Sequence, residues 1–194
     1  MKLRLGILGS TRGTNMLTLI DSINEGKLTA TIEVVISNKI EAIILQRAKD
    51  SGLNAEFVSP EGLSREEYDK KINELLLENK VDLVVLVGYM RILSSDFVSA
   101  WNNKVINVHP SLLPAFAGKM DKEVHQAVLD SRTRETGCTI HYVTQQVDAG
   151  PIILQKKCAV LADDDIESLK QRVQKLEGIA LVEAIQFIAD KNNT

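Results

Sequence analysis

Short apolar runs alternate with stretches of three- and four-residue apolar spacing along the chain, the pattern of strands separated by helices. Leu3 to Leu8 reads as a first strand ended by Gly9. Thr14 to Asn24 follows as a helix, with Leu17, Ile20 and Ile23 on one side and Gly26 beyond it as a stop. Ile32 to Ser37 is a second strand, Glu41 to Ser51 a helix closed by Gly52, and Ala55 to Val58 a third strand. Ser64 and Glu67 form a capping box that opens a helix carrying Tyr68, Ile72, Leu75 and Leu76 on one face. Asp82 to Val87 is nearly all apolar, as a central parallel strand covered on both faces should be. A short helix through Phe97 and Trp101 leads to a strand from Val105 to His109. A helix near Glu123 to Leu129 and a strand from Cys138 to Thr144 come next. Ile152 to Val160, with its Gln155-Lys156-Lys157 stretch, reads as an antiparallel strand near an edge. The last helix starts after Asp163-Asp164-Asp165, acidic residues suited to a positive helix start, and runs to about Ala189. The expected fold class is α/β: a single Rossmann-like domain, its central sheet mostly parallel, with helices on both faces. In such sheets ligands bind beyond the carboxyl ends of the strands, where the strand order reverses.

Composition narrows the class. The 194 residues are 44% hydrophobic and 25% charged, as in a soluble globular protein, and no repeat or low-complexity linker divides them. A formal charge of −3 and the lack of a basic stretch argue against nucleic acid as the main partner. No apolar run reaches the ~20 residues that span a bilayer, and no signal peptide precedes the first strand. Cys138 and Cys158 have no metal-site spacing and read as reduced strand residues of a cytoplasmic protein.

Three segments at strand ends can carry chemistry. Gly9-Ser10-Thr11-Arg12-Gly13-Thr14-Asn15 links a strand to a helix start, where backbone N–H groups face an anion. It matches neither GxGxxG nor a P-loop, which leaves a single phosphate, or a plain turn that binds nothing. In Val105-Ile106-Asn107-Val108-His109-Pro110 strand alternation puts Asn107 and His109 on the same face, and Pro110 turns the chain away. An amide can donate to an oxyanion and an imidazole can move a proton near neutral pH. On composition alone a packed core histidine is the commoner case. Asp148, in Gln145 to Pro151, is either a turn residue bonded to its own backbone or a carboxylate that pairs with His109. His125 reads as a surface helix residue and His141 as packed within its strand, with a supporting role for His141 as the alternative. Asp163 to Asp165 read as a solvated helix start rather than a metal site.

Asn107-Val108-His109-Pro110-Ser111-Leu112-Leu113-Pro114, followed by Val147-Asp148-Ala149-Gly150-Pro151, resembles the signature of the folate-dependent formyltransferases. The likeness extends over essentially the whole chain, through Gly13-Thr14-Asn15, Ser37-Asn38-Lys39, Arg65, Gly88 to Leu93 and Gln174 to Glu177. It implies one formyltransferase domain over 1–194, with a nucleotide-binding half at about 1–100 and a folate and catalytic half at about 101–194. The short chain and the Gly-Thr-Asn loop resemble the branch that carries a formyl group from 10-formyltetrahydrofolate to the amine of phosphoribosylglycinamide, in de novo purine biosynthesis. The resemblance assigns Asn107, His109 and Asp148 to catalysis, and Gly13, Thr14, Asn15, Gln174 and Glu177 to the phosphorylated acceptor. It assigns Arg65, Met90, Arg91, Ile92, Leu93, Asn107, Thr144 and Asp148 to folate. Asp148 is expected to raise the pKa of His109, so that an imidazolium persists near pH 7. No metal, nucleic acid or membrane partner is implied, and the protein is expected to be a monomer or homodimer.

The chain departs from the family pattern at Ser10-Thr11-Arg12, at Ala117-Gly118-Lys119-Met120-Asp121, and at Gly178, where histidine is frequent. These positions touch the acceptor side more than the catalytic trio, so a different amine acceptor stays open. A hydrolase of 10-formyltetrahydrofolate usually has an added N-terminal domain, and the formyltransferase acting on methionyl-tRNA an added C-terminal one. A first strand at Leu3 and an end at Thr194 favour neither. A binding module without catalysis is the more distant alternative.

Overall fold

A computed structural model of the protein describes residues 2–192. The elements follow in the order β1 (Leu3–Leu8), α1 (Thr14–Asn24), β2 (Ala30–Ser37), α2 (Ile43–Asp50), β3 (Ala55–Phe57), α3 (Arg65–Glu78) and β4 (Leu83–Leu86). Then come α4 (Ser95–Ala100), β5 (Val105–His109), α5 (Lys122–Asp130), β6 (Glu135–Tyr142), β7 (Ile152–Ala159) and α6 (Ile166–Asn192). Strand periodicity and capping predict most of these within a few residues. The Ser64–Glu67 box forms in both directions, with Oγ of Ser64 accepting from the Glu67 N–H and the Glu67 carboxylate from the Ser64 N–H. The largest shift is in β6, which begins at Glu135 because the chain there already pairs with Ala159 of β7.

One seven-stranded sheet has the order β3-β2-β1-β4-β5-β6-β7. β1 to β5 are parallel, while β6 runs antiparallel to β5 and the edge strand β7 antiparallel to β6. Leu83, Val85 and Val87 pack under α1, α2, α5 and α6, whereas Val84 and Leu86 pack under α3 and α4. That two-sided burial is why the β4 segment is apolar at every position rather than at alternate ones. Strand order reverses between β1 and β4, so the loops after these strands flank a crevice at their carboxyl ends.

Cys138 is buried in β6 and Cys158 half-buried in β7, both as free thiols, and burial pushes Cys138 up to about 12. The start of α6 differs from the solvated run expected. Asp165 exchanges hydrogen bonds with Ser168, but the Asp164 side chain is only 2% exposed and takes a two-pronged contact from Arg172 at 2.6 and 2.8 Å. The Arg172 guanidinium holds the Asp164 carboxyl well below the usual carboxylate range.

Candidate active site

β5 delivers Asn107 and His109 to its carboxyl end, and its pairing with β6 decides what they meet. Asn107 lies opposite His141, and His109 opposite Thr139. The Tyr142 carbonyl is 2.9 Å from Nδ1 of His141 and can only accept, so that nitrogen carries the hydrogen. Nε2 of His141 is then an acceptor, 3.3 Å from Nδ2 of Asn107. One amide hydrogen of Asn107 is engaged there, and the other is left for a ligand. His141 is thus packed, as expected, and also orients the Asn107 amide. The supporting role is the alternative that the sequence leaves open, but which side chain His141 supports is set by strand pairing.

Asp148 reaches the same place from the loop after β6. Its Oδ2 lies 3.3 Å from Nδ1 of His109 and accepts from the Gly118 N–H at 2.8 Å, while Oδ1 lies 3.6 Å from Nε2 of His141. Asp148 has φ +53, a left-handed conformation that only a tight loop imposes on a non-glycine residue. The tightness comes from Gly150, where a Cβ would sit 1.8 Å from the Tyr142 carbonyl oxygen. Glycine is what lets this loop fold back onto β6. His109 leaves the strand into a segment tied to the sheet, with Leu113 N–H and Gln155 Nε2 both donating to the Thr139 hydroxyl.

The charge state of His109 differs from the one expected. Burial pushes its pKa down, the Asp148 carboxylate opposes that, and His141 adds to the depression. The imidazole is 3% exposed, so the desolvation of its cation outweighs one nearby carboxylate. A pKa below the ordinary histidine value leaves His109 mainly neutral near pH 7. With Nδ1 against Asp148, its Nε2 is buried without a hydrogen-bond partner.

His125, expected on the surface, is 2% exposed on the inner side of α5 against α6. All three histidines are pushed below the ordinary range, in each case first by burial. Below about pH 6.5 the unfolded chain therefore binds protons that the native state refuses, and stability falls as the pH drops toward the depressed native midpoints. The melting temperature is expected to fall more between about pH 7 and about pH 5.5 than between about pH 8 and about pH 7. His125→Gln should flatten that slope; an unchanged slope would mean that His125 takes up its proton as readily in the native state as in the unfolded chain.

At the start of α1, Gly13 is left-handed with φ +67, and no side chain caps the helix. Nδ2 of Asn15 donates to Oε2 of Glu177 at 2.9 Å, across 162 residues of sequence. Gln174 lies about one helical turn before Glu177, and Thr14 is half-buried beside Gly13. Burial raises the Glu177 pKa, and the Asn15 hydrogen bond opposes this. A Cβ at Gly178 would approach the Thr18 hydroxyl to 2.8 Å, so a larger residue there requires the Thr18 side chain to shift.

The Met90 to Leu93 segment follows β4. The Met90 N–H donates to Oγ of Ser10 at 2.9 Å, and that hydroxyl donates to Asn38 at 2.6 Å, so Ser10 ties three strand-end loops together. Arg91 stacks over the Tyr68 ring at 4.4 Å. Ile92 is 61% exposed and Leu93 buried. Arg65 is exposed at the start of α3, one turn before Tyr68 and Asp69, which hold Arg91 and the Ser94 N–H. The Thr144 hydroxyl donates to the Gln146 carbonyl at 3.0 Å and shapes the start of the Asp148 loop. Among the described residues no group of three or more His, Cys, Asp or Glu side chains is placed to hold a metal ion.

The formyl transferase family model matches residues 3–185. The trifunctional purine biosynthetic protein adenosine-3 of Bos taurus is 41% identical over 189 residues, which cover 97% of this chain but 18% of that protein. Phosphoribosylglycinamide formyltransferase of Haemophilus influenzae is 38% identical over 175 residues, 90% of this chain and 81% of that one. The structure of glycinamide ribonucleotide transformylase 1 from Symbiobacterium toebii superposes with a TM-score of 0.94 at 39% identity, over 98% of this chain and 89% of that one. The chain thus spans about a fifth of the trifunctional relative and most of the single-enzyme ones. With a family match over nearly its full length and the Asn107, His109 and Asp148 side chains gathered at one strand end, the chain belongs to the formyl transferase family.

Proposed function

We propose that the chain transfers the formyl group of 10-formyltetrahydrofolate to the amine of phosphoribosylglycinamide, giving the N-formyl product and tetrahydrofolate in purine biosynthesis. The observation that carries this is the unpartnered Nε2 of a buried His109, whose Nδ1 faces Asp148 and which shares a strand face with Asn107. The acceptor's phosphate would sit on the N–H groups at the uncapped start of α1, with Asn15, Gln174 and Glu177 around its ribosyl end. Folate would lie along Met90 to Leu93, Arg65 and the Thr144 to Asp148 loop. Exposed apolar Met90, Ile92 and Val147 suit a flat ring system there.

The chemistry follows from one donor, the Asn107 amide, and one base, Nε2 of His109. As the amine nitrogen bonds to the formyl carbon, the carbonyl oxygen becomes an oxyanion facing the free amide hydrogen of Asn107. Nε2 of neutral His109 takes the proton the amine loses, and the Asp148 carboxylate stabilises the imidazolium formed. The carbon–nitrogen bond to the folate then breaks, and that nitrogen takes the proton from His109. One amine proton has moved to the folate nitrogen, and the protein returns to its starting state. A cytoplasmic setting accords with two unpaired thiols.

The test follows the absorbance of a 10-formyl folate analogue with and without phosphoribosylglycinamide. Turnover that needs the ribonucleotide is the expected result. Turnover without it would instead indicate a hydrolase using water.

A further inference from the structure

Lys170 lies one turn before Gln174 and two turns before Glu177 in α6, so the three side chains share one helix face. Its charge is felt at the Glu177 carboxyl, which is itself bonded to Asn15 at the start of α1. Lys170 thus lies on the face of α6 that carries Glu177 to the uncapped start of α1. Among the described residues its ammonium meets the Asp121 carboxylate, with Nζ 2.5 Å from Oδ1.

Asp121 is an unusual partner. It occupies the N-cap position of α5, where an aspartate ordinarily accepts from its own helix, yet its side chain makes no cap hydrogen bond. It also has φ +45, a conformation disfavoured for any residue but glycine. The carboxylate lies on Lys170 instead of on its own helix start. The carboxylate is 55% exposed and the lysine 27%, so the pair is a weak surface one, open to exchange. Beneath it His125 is buried, with its pKa lowered by burial and by Lys170, so the lysine supplies the local positive charge.

We propose that Lys170 is a further acceptor-binding residue whose ammonium takes the acceptor's phosphate, and that Asp121 occupies that ammonium in the unliganded protein. This rests on the acceptor assignment made above and adds to it a cation and a displaceable internal anion. A phosphate monoester brings more charge than a carboxylate and gains the N–H groups of α1 as well, so it displaces Asp121. The loop from Ala117 to Asp121, where this chain departs from its family, is then an exchange device rather than a plain connector.

The experiment compares wild type with Lys170→Ala, Lys170→Arg and Asp121→Ala, using inorganic phosphate in calorimetry and phosphoribosylglycinamide in turnover. Lys170→Ala should weaken phosphate binding about tenfold or more and raise the acceptor KM far more than it changes kcat or the folate KM. Lys170→Arg should keep phosphate affinity within about threefold. Asp121→Ala should act in the opposite direction, tightening phosphate about two- to fivefold, because the competitor is gone. If the pair only anchored the loop, removing either partner would release it alike, and both alanine variants would move phosphate affinity the same way. That result, or an unchanged phosphate affinity in Lys170→Ala, overturns the proposal. Opposite shifts in phosphate affinity without acceptor-dependent turnover would keep the anion site and refute the acceptor. Acceptor-dependent turnover with no such shifts would keep the acceptor and refute the role of Lys170.

Discussion

His109→Ala should leave a folded protein that still binds folate but transfers formyl groups about 10³–10⁴-fold more slowly. In the proposed mechanism the imidazole both takes the amine proton and returns it to the folate nitrogen, and no other described group stands in its place with a free ring nitrogen. Folding survives because the lost side chain is one buried group among many, at a cost of about 1–3 kcal/mol against a typical stability of about 5–15 kcal/mol. Asn107→Ala should slow turnover less, by about 10²–10³-fold, since it removes one oxyanion donor and leaves proton transfer intact. Because the two residues act on one tetrahedral centre, the double variant should fall short of the product of the single effects. Single-turnover rates, read beside folate binding by fluorescence, separate chemistry from binding. Near-wild-type turnover in His109→Ala would sink the catalytic assignment.

Asp148→Asn should match or exceed that loss, at about 10³–10⁴-fold, although the side chain hardly changes shape. The carboxylate can only accept, which keeps the hydrogen of His109 on Nδ1 and the lone pair on Nε2. An amide can turn its N–H₂ toward Nδ1 and favour the opposite tautomer, which blocks Nε2 as a base. The pH dependence has a definite sign. Burial lowers the His109 pKa and Asp148 raises it, so removing the carboxylate leaves the depression unopposed. The acid limb of kcat/KM, where His109 becomes protonated and ceases to act as a base, should move to lower pH while the plateau falls. An imidazole titration by NMR that is unchanged in Asp148→Asn would refute the pairing.

Much of the fold was legible because local rules and tertiary packing agreed. Ser64 and Glu67 cap α3 by contacts three residues apart, and the unbroken apolar run of β4 records burial on both faces. Asn107 and His109 were on one face as soon as Val105 to His109 was a strand. His125 was misread because its exposure depends on where α6 lies, and α6 begins some 40 residues later in the chain. The protonation of His109 was misread for a related reason. A carboxylate partner was foreseeable from the motif, but the desolvation that outweighs it comes from surroundings the motif does not contain.

Residue spacing is enough to set the alternation of strands and helices, the helix caps and the strand face shared by Asn107 and His109, and short motifs carry the family signature. Each depends on spacing within a few residues. Long-range packing is what makes His141 orient Asn107, brings Asp148 to His109 through a loop which Gly150 lets fold back, and sets Asp121 on Lys170. Those contacts depend on strand register, on helix crossing and on burial, which are set by how distant segments pack rather than by the residues beside each one.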